Sequence, residues 1–241
     1  MGKFSHPYFI SMKNEIKFIA HRGYHEYYIE NTYDAFIEAG KRNNYAIETD
    51  IYLTKDNAMI CNHNNKIDGM DKNIVDCYYQ EIEKIELHKN NVTSKVCLFV
   101  DYLKTCKKYK KIPVIEFKMT PPLEWIKNIL ETISQYYGDI NNVEFISFGR
   151  EICKILLNLK EKHNYEYQVY RLVSEDKYID EAYFDQMNIS CYYEKMNKQL
   201  MNKFQTKGLE IKVWTINDKT VLQKMIDLGI KTITSDIFDK I

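Results

Sequence analysis

The feature of this 241-residue chain that most restricts its fold is a regular alternation of short apolar runs with longer amphipathic segments. The runs are rich in β-branched and aromatic residues, as strands are. Most of the segments between them, such as DKTVLQKMIDLGI (218–230), place apolar residues three or four apart, which is the helical period. Alternating strands and helices predict a parallel sheet with helices outside it. Nine runs qualify as strands: 16–20, 46–53, 58–63, 112–118, 143–148, 167–173, 189–193, 211–217 and 231–236.

The number of runs points to one particular arrangement. Only TKDN (54–57) separates the second run from the third, and four residues cannot form a parallel crossover, so this pair is expected to be an antiparallel hairpin. The other eight runs predict a TIM (β/α)8 barrel with an extra antiparallel hairpin strand after strand 2, at about the usual length for that fold. No linker or repeat divides the chain, so we expect one domain over residues 1–241. The least regular part, 64–111, is expected to lie above the barrel.

Charge and cysteine usage exclude several classes of protein. Lysine plus arginine equals aspartate plus glutamate at 34 each, whereas duplex-binding proteins usually show a basic excess, so no nucleic-acid partner is expected. No run of about 18 apolar residues is present, so no membrane span is expected. The N-terminus, MGKFSHPYFISMKNE (1–15), lacks the continuous apolar stretch of a secretory signal, and the six cysteines form no CxxC pair. We therefore expect a cytoplasmic protein without disulfides.

Three acidic residues fall at the carboxyl ends of neighbouring predicted strands, where TIM barrels carry their active sites. Glu48 and Asp50 lie two apart in ETD and so share one face of their strand, and Glu116 ends the next barrel strand. Inward carboxylates are costly unless they are paired or bound to a cation. Oxygen ligands alone suit a hard divalent ion, so we predict one divalent cation here, Mg²⁺ or Ca²⁺.

Histidines and basic residues fall at the same predicted edge. His21 and Arg22 follow the first strand, His63 ends the hairpin strand and Lys118 follows Glu116. Two histidines can serve as general acid and general base near neutral pH, and arginine or lysine commonly binds phosphate. Together with a cation, these groups indicate phosphoryl chemistry.

Other strand-end residues carry weaker signals. Arg171 and Tyr192 or Tyr193 are considered for substrate specificity. The four histidines that match no motif are assigned to the surface: His6, His25, His88 and His163.

The order of short motifs along the chain resembles the glycerophosphodiester phosphodiesterase (GDPD) family from about residue 18 to 237. The motifs are HRG (21–23), ENT (30–32), ETD (48–50), a TKD turn (54–56) leading to His63, EFK (116–118), SF (147–148), WTIN (214–217) and TSD (234–236). The resemblance implies a TIM-barrel phosphoric diester hydrolase of lipid metabolism. Its substrates would be glycerophosphodiesters, cleaved to glycerol 3-phosphate and an alcohol.

The resemblance also implies a role for individual residues. It assigns the metal to Glu48, Asp50 and Glu116. It assigns acid–base catalysis to His21 and His63, without saying which is the base. The remaining roles are phosphate contact for Arg22, loop organisation for Glu30 and Asn31, charge balance for Lys118 and closure of the glycerol end of the pocket for Trp214.

Three positions depart from the family pattern, and two other functions remain open. Ile29 and Asn64 stand where the family usually has proline and aspartate, and TSDIFD is a looser version of the last motif. One alternative is phospholipase D-like cleavage of lysolipids or sphingolipids on the same scaffold. The other is a barrel that binds a phosphodiester without turnover.

Overall fold

The computed structural model describes residues 16–240. The N-terminal segment 1–15, with His6 and the stretch read above for a signal, lies outside the described residues. Between residues 16 and 240 the strands are β1 (Lys17–Ala20), β2 (Ala46–Leu53), β3 (Met59–Cys61), β4 (Glu86–Lys89), β5 (Val92–Lys95), β6 (Cys97–Leu98), β7 (Ile112–Phe117), β8 (Glu144–Ser147), β9 (Gln168–Val173), β10 (Asn188–Tyr192), β11 (Ile211–Trp214) and β12 (Thr232–Ser235).

Helices alternate with the strands in the same described region. They are α1 (Tyr33–Gly40), α2 (Tyr79–Ile82), α3 (Phe99–Tyr109), α4 (Leu123–Tyr136), α5 (Arg150–His163), α6 (Asp176–Phe184), α7 (Lys198–Gln205) and α8 (Lys219–Asp227). Side-chain caps fix several helix starts. Thr32 accepts a hydrogen bond from Ala35 N at the start of α1, and Asp218 accepts from two backbone amides at the start of α8.

Eight parallel strands close into a barrel, as the alternation predicts. The order around the barrel is β1, β12, β11, β10, β9, β8, β7, β2 and back to β1. Closure brings Ala20 of β1 beside both Ser235 of β12 and Ile47 of β2. The extra strand is confirmed too, because β3 pairs antiparallel with Ile51–Leu53 of β2, at the carboxyl end of that strand.

The irregular region after β3 forms a small structure of its own. It holds α2, a two-stranded antiparallel hairpin of β4 and β5, and β6, which pairs with β3. From the hairpin, Lys89 Nζ donates hydrogen bonds to the carbonyl oxygens of His25 (2.7 Å) and Tyr28 (3.3 Å). The hairpin therefore braces the loop that follows β1.

The core has an outer and an inner part. The larger cluster packs the barrel strands against the surrounding helices. A smaller cluster, of Ile19, Ala46, Val114, Ile146, Tyr170 and Leu172, fills the barrel, as expected from side chains that alternate across each strand. None of the helices described between residues 16 and 240 has the length and apolarity needed to cross a membrane.

Candidate active site

The three predicted carboxylates meet at the carboxyl end of the barrel. Glu48 and Asp50 lie on β2, and Asp50 stands directly beside Glu116 of β7 in the parallel register. All three are buried, with relative exposures of 2%, 1% and 8%. One oxygen of each lies within 4.8 Å of the others, close enough to share a metal ion.

Burial and mutual repulsion dominate the electrostatics of this cluster. Burial, followed by the charges of Asp50 and Glu116, raises the pKa of Glu48 well above its ordinary value. Burial and the charge of Asp50 raise the pKa of Glu116 to about 7, against the opposing effect of Lys118. The cluster thus holds more negative charge than its own surroundings neutralise, and a bound cation would relieve this.

Two basic side chains flank the carboxylates. Lys118 Nζ lies 2.9 Å from Glu116 Oε1 and 3.4 Å from Asp50 Oδ1. Arg22 lies on the other side, with Nε 3.5 Å from Asp50 Oδ2 and its backbone N–H donating to Glu48 Oε2 at 2.8 Å. Although burial acts to lower them, these carboxylates raise the pKa of both Arg22 and Lys118, so both remain positively charged.

The ENT loop is tied to the same cluster. Asn31 Nδ2 donates to Asp50 Oδ2 at 2.8 Å, and Asn31 Oδ1 accepts from Thr49 Oγ1 at 2.8 Å. Glu30 Oε1 accepts from Arg22 Nη1 at 2.9 Å. Asn31 therefore orients one carboxylate, and Glu30 orients the guanidinium.

The HRG turn needs glycine at its third position. Gly23 has φ +82°, and a Cβ there would stand 2.8 Å from the backbone carbon of Ala35 in α1. Arg22 itself takes a left-handed conformation, with φ +55°. Such a turn brings the Arg22 backbone against Glu48 while α1 packs closely behind.

His21 belongs to a cluster that motif matching does not reveal. Its Nδ1 lies 2.6 Å from Asp236 Oδ1, and the same oxygen lies 3.0 Å from His25 Nε2. Asn217 Nδ2 donates to the other Asp236 oxygen at 2.6 Å. Burial acts to raise the pKa of Asp236, but the hydrogen bonds from His21 and then His25 hold it well below its usual range. His25, assigned to the surface from sequence, has a side chain only 18% exposed.

His63 stands across from these groups, just beyond β3. Its Nδ1 lies 3.2 Å from Asn64 Oδ1. Asn64 therefore still offers an oxygen to this imidazole, without the charge of an aspartate. Burial lowers the pKa of His63, the charges of Arg22 and Lys118 act in the same direction, and Asp50 opposes them.

Several of these groups border one cavity of about 250 Å³ at the barrel mouth. One side is charged, and includes His21, Arg22, Glu48, His63, Glu116 and Lys118. The other side is apolar and centres on Trp214, whose Nε1–H donates to Ser190 O at 2.9 Å and whose ring meets Phe148 edge to face. A small amphiphilic molecule with an anionic end would match this division.

Other strand-end residues are not part of the charged cluster. Arg171 is 3% exposed, and its Nη2 donates to Glu181 of α6 at 2.9 Å. It therefore faces the helix layer, and the prediction that it contributes to substrate specificity is wrong. The reason is alternation, because Tyr170 and Leu172 on either side of it fill the barrel. The Tyr192 ring lies 5.5 Å from the Trp214 ring, between centres, and does not line the cavity. The Ser147 hydroxyl donates to Phe117 O.

Known proteins share this architecture along nearly the whole chain. A crystal structure of a glycerophosphodiester phosphodiesterase from Parabacteroides distasonis is 26% identical, with a TM-score of 0.78 over 94% of each chain. A phosphodiesterase of Oleispira antarctica, solved with its product sn-glycerol-3-phosphate, is 18% identical, with a TM-score of 0.79 over 93% of this chain and 94% of that one. In sequence, the "Putative glycerophosphodiester phosphodiesterase YhdW" of Bacillus subtilis is 25% identical over 92% of this chain and 94% of its own.

The barrel, with a mouth that joins a carboxylate cluster to imidazoles and basic side chains, and its likeness to these relatives identify a TIM-barrel phosphoric diester hydrolase. The model of the glycerophosphoryl diester phosphodiesterase family matches residues 21–240. The chain belongs to that family.

Proposed function

We propose that this protein hydrolyses glycerophosphodiesters to glycerol 3-phosphate and an alcohol, with a divalent cation and two histidines. The observation that carries the proposal is that His21, His63 and the basic pair Arg22 and Lys118 border the same cavity as two of the buried carboxylates, Glu48 and Glu116. The Oleispira antarctica relative, solved with sn-glycerol-3-phosphate, supports this choice of product.

Glu48, Asp50 and Glu116 would hold the cation, Mg²⁺ or Ca²⁺. They offer oxygen ligands only, and buried Asp50 Oδ1 has the Lys118 ammonium 3.4 Å away but no hydrogen-bond partner among the described residues. Hard divalent ions prefer such ligands. When bound, the ion would offset the negative charge that develops on the phosphate group.

Arg22 and Lys118 would contact the phosphate oxygens. Both remain charged and border the cavity, and Glu30 holds the Arg22 guanidinium in place. Trp214 and Phe148 would cover the carbon atoms of the glycerol. This places the phosphate at the charged side of the cavity and the apolar part of the substrate at the other.

Each histidine would take up or release its proton at Nε2, because each Nδ1 lies near an oxygen that orients the ring. The lowered pKa of His63 leaves its imidazole neutral near pH 7. A neutral imidazole can accept the proton of the attacking hydroxyl group, so His63 suits the role of general base. The Asp236 carboxylate would stabilise positive charge on His21, which suits a proton donor to the leaving oxygen.

The test measures glycerol 3-phosphate release from the choline, ethanolamine and glycerol diesters with Mg²⁺ or Ca²⁺, and with EDTA. We expect release that requires the ion and falls at least ~10²-fold in His21→Ala and in His63→Ala. His88→Ala is the matched control, since that side chain is 64% exposed on the β4–β5 hairpin. Turnover close to wild type in both active-site variants would contradict the mechanism. Release of a phosphorylated lipid from lysolipids would support the phospholipase D-like alternative instead.

We further propose that the chain acts as one barrel domain in a reducing compartment. All six cysteines are buried free thiols, which supports a location where disulfides do not form. Labelling of the denatured protein with a thiol reagent, after isolation without reductant, would show six reactive groups if this is correct.

A further inference from the structure

We propose that His21, His25 and Asp236 form a second cation site, one that takes a transition-metal ion such as Zn²⁺. Occupancy of the site would inhibit the enzyme by holding His21, and this consequence rests on the proposed function. The site is separate from the carboxylates of β2 and β7, and it joins the loop after β1 to the end of β12.

The donor atoms are already gathered. One oxygen or nitrogen atom from each of the three residues lies within 4.8 Å of the others. His21 Nδ1 and His25 Nε2 both approach Asp236 Oδ1, at 2.6 and 3.0 Å. Tetrahedral zinc with ligands at about 2.0–2.1 Å needs donor atoms about 3.4 Å apart, so side-chain shifts of less than about 1 Å would admit the ion.

The donor set determines which ions the site prefers. Two imidazole nitrogens and one carboxylate favour zinc, cobalt or nickel, whereas magnesium and calcium prefer oxygen. The carboxylate cluster at Glu48, Asp50 and Glu116 has the opposite preference. The same barrel mouth thus offers two sites that different cations can occupy together.

The surroundings of Asp236 resemble the outer layer of a metal site. Asn217 Nδ2 donates to Asp236 Oδ2 at 2.6 Å, and Asn217 Oδ1 accepts from Asp236 N at 2.9 Å. The carboxylate is therefore held with Oδ1 toward the imidazoles, as outer hydrogen bonds orient metal ligands. The His21, His25 and Asp236 side chains are 22%, 18% and 27% exposed, so an ion can reach them from solvent.

An ion bound here would bear directly on catalysis. It would replace the contact between His21 Nδ1 and Asp236 with a metal–nitrogen bond, and the ring would lose the hydrogen bond to the carboxylate that orients it. His25 is placed to ligate the ion and does not border the substrate cavity. His25→Gln should therefore remove a metal ligand, and inhibition is expressed as a fraction of each protein's own turnover without zinc.

The first measurement is Zn²⁺ binding to the whole chain with its carboxylate site saturated by Mg²⁺. We expect one further ion per chain by titration calorimetry, with affinity lowered more than about 10-fold in His25→Gln, since even outer-layer changes cost 10–100-fold. His88→Gln is the control and should bind like wild type.

In wild-type protein with labelled histidine, the nitrogen resonances of His21 and His25 should shift together. Zn²⁺ binding that leaves the His25 resonances unmoved would overturn the proposal without any variant.

The second measurement is inhibition. We expect the inhibitory Zn²⁺ concentration to rise more than about 10-fold in His25→Gln, and excess Mg²⁺ to leave inhibition of the wild type unchanged. Inhibition that Mg²⁺ relieves equally in both proteins would mean that zinc competes at the carboxylates, and would overturn the proposal. If no diester is hydrolysed at all, the proposed function fails, and the binding measurement still decides the site.

Discussion

His21 Nδ1 and Asp236 Oδ1 lie 2.6 Å apart although 215 positions separate the two residues in the chain. The contact exists because β1 pairs with β12, where Ala20 stands beside Ser235 and the next residue of each strand projects at the barrel mouth. Closure of the barrel thus supplies the orienting partner of a proposed catalytic histidine.

We expect Asp236→Asn to lower kcat by roughly 10²- to 10⁴-fold with little change in KM, because the amide neither stabilises an imidazolium nor selects the same tautomer. Steady-state kinetics on a hydrolysed diester would check this. Asp239→Asn, at a surface pair with Arg42, is the control. If the melting temperature of Asp236→Asn falls together with its kcat, the residue has a structural role instead.

The carboxylate cluster predicts an unusual pH dependence for the metal-free protein. The pKa of Glu116 is about 7 in the folded state, above its ordinary value of 4.5, so the folded state binds more protons between these limits. The free energy of unfolding in EDTA should therefore fall as the pH rises through this window, by about 3 kcal/mol.

Urea denaturation at several pH values would measure that slope. Glu116→Gln should reduce it, whereas substitution of the exposed Glu131 of α4, Glu131→Gln, should leave it as in wild type. Saturating Mg²⁺ or Ca²⁺ should stabilise the wild type most at the alkaline end, where protons no longer compete for the ligands. If the free energy of unfolding in EDTA does not change with pH, the repulsion that we assign to the three buried carboxylates is contradicted.

Gly23→Ala should destabilise the protein and reduce turnover. The added methyl would meet the Ala35 backbone at 2.8 Å in a conformation with φ +82°. Gly229→Ala is the matched control, since it has φ +91° with nothing within 4 Å of the added carbon. We expect a loss of roughly 1 kcal/mol for Gly229→Ala from backbone strain alone, and roughly 2–3 kcal/mol or more for Gly23→Ala. Denaturation curves would compare the two, and equal losses would contradict the packing argument.

At the opposite end of the barrel, Lys212→Met should cost about 3–5 kcal/mol of unfolding free energy, because it leaves Glu144 buried and unpaired. The two side chains form a buried ion pair in which Glu144 also accepts from Tyr45 Oη. Adding Glu144→Gln should restore much of the loss, and kcat should stay near wild type in both variants. A double variant no more stable than Lys212→Met would argue against the ion pair as the cause.

Much of this molecule follows from local sequence. The strand β2 covers the apolar run 46–53 residue for residue, and the TKDN turn leads to the antiparallel β3. Because parallel strands gather their carboxyl ends at one end of a barrel, Glu48, Asp50 and Glu116 could be grouped from spacing alone. The assignment of HRG and ENT to the same mouth followed from motif order.

The tertiary structure decided what depends on closure and on side-chain direction. His25 matches no motif, yet the turn after Gly23 carries it to Asp236, the residue that follows the last strand. Arg171 lies near the carboxyl end of β9, but the side-chain alternation along that strand turns it outward to Glu181. Apolar periodicity determines which segments become strands and helices, because burial is a property of short stretches. Contacts across the seam between β1 and β12 depend on how the whole barrel closes, which no short stretch encodes.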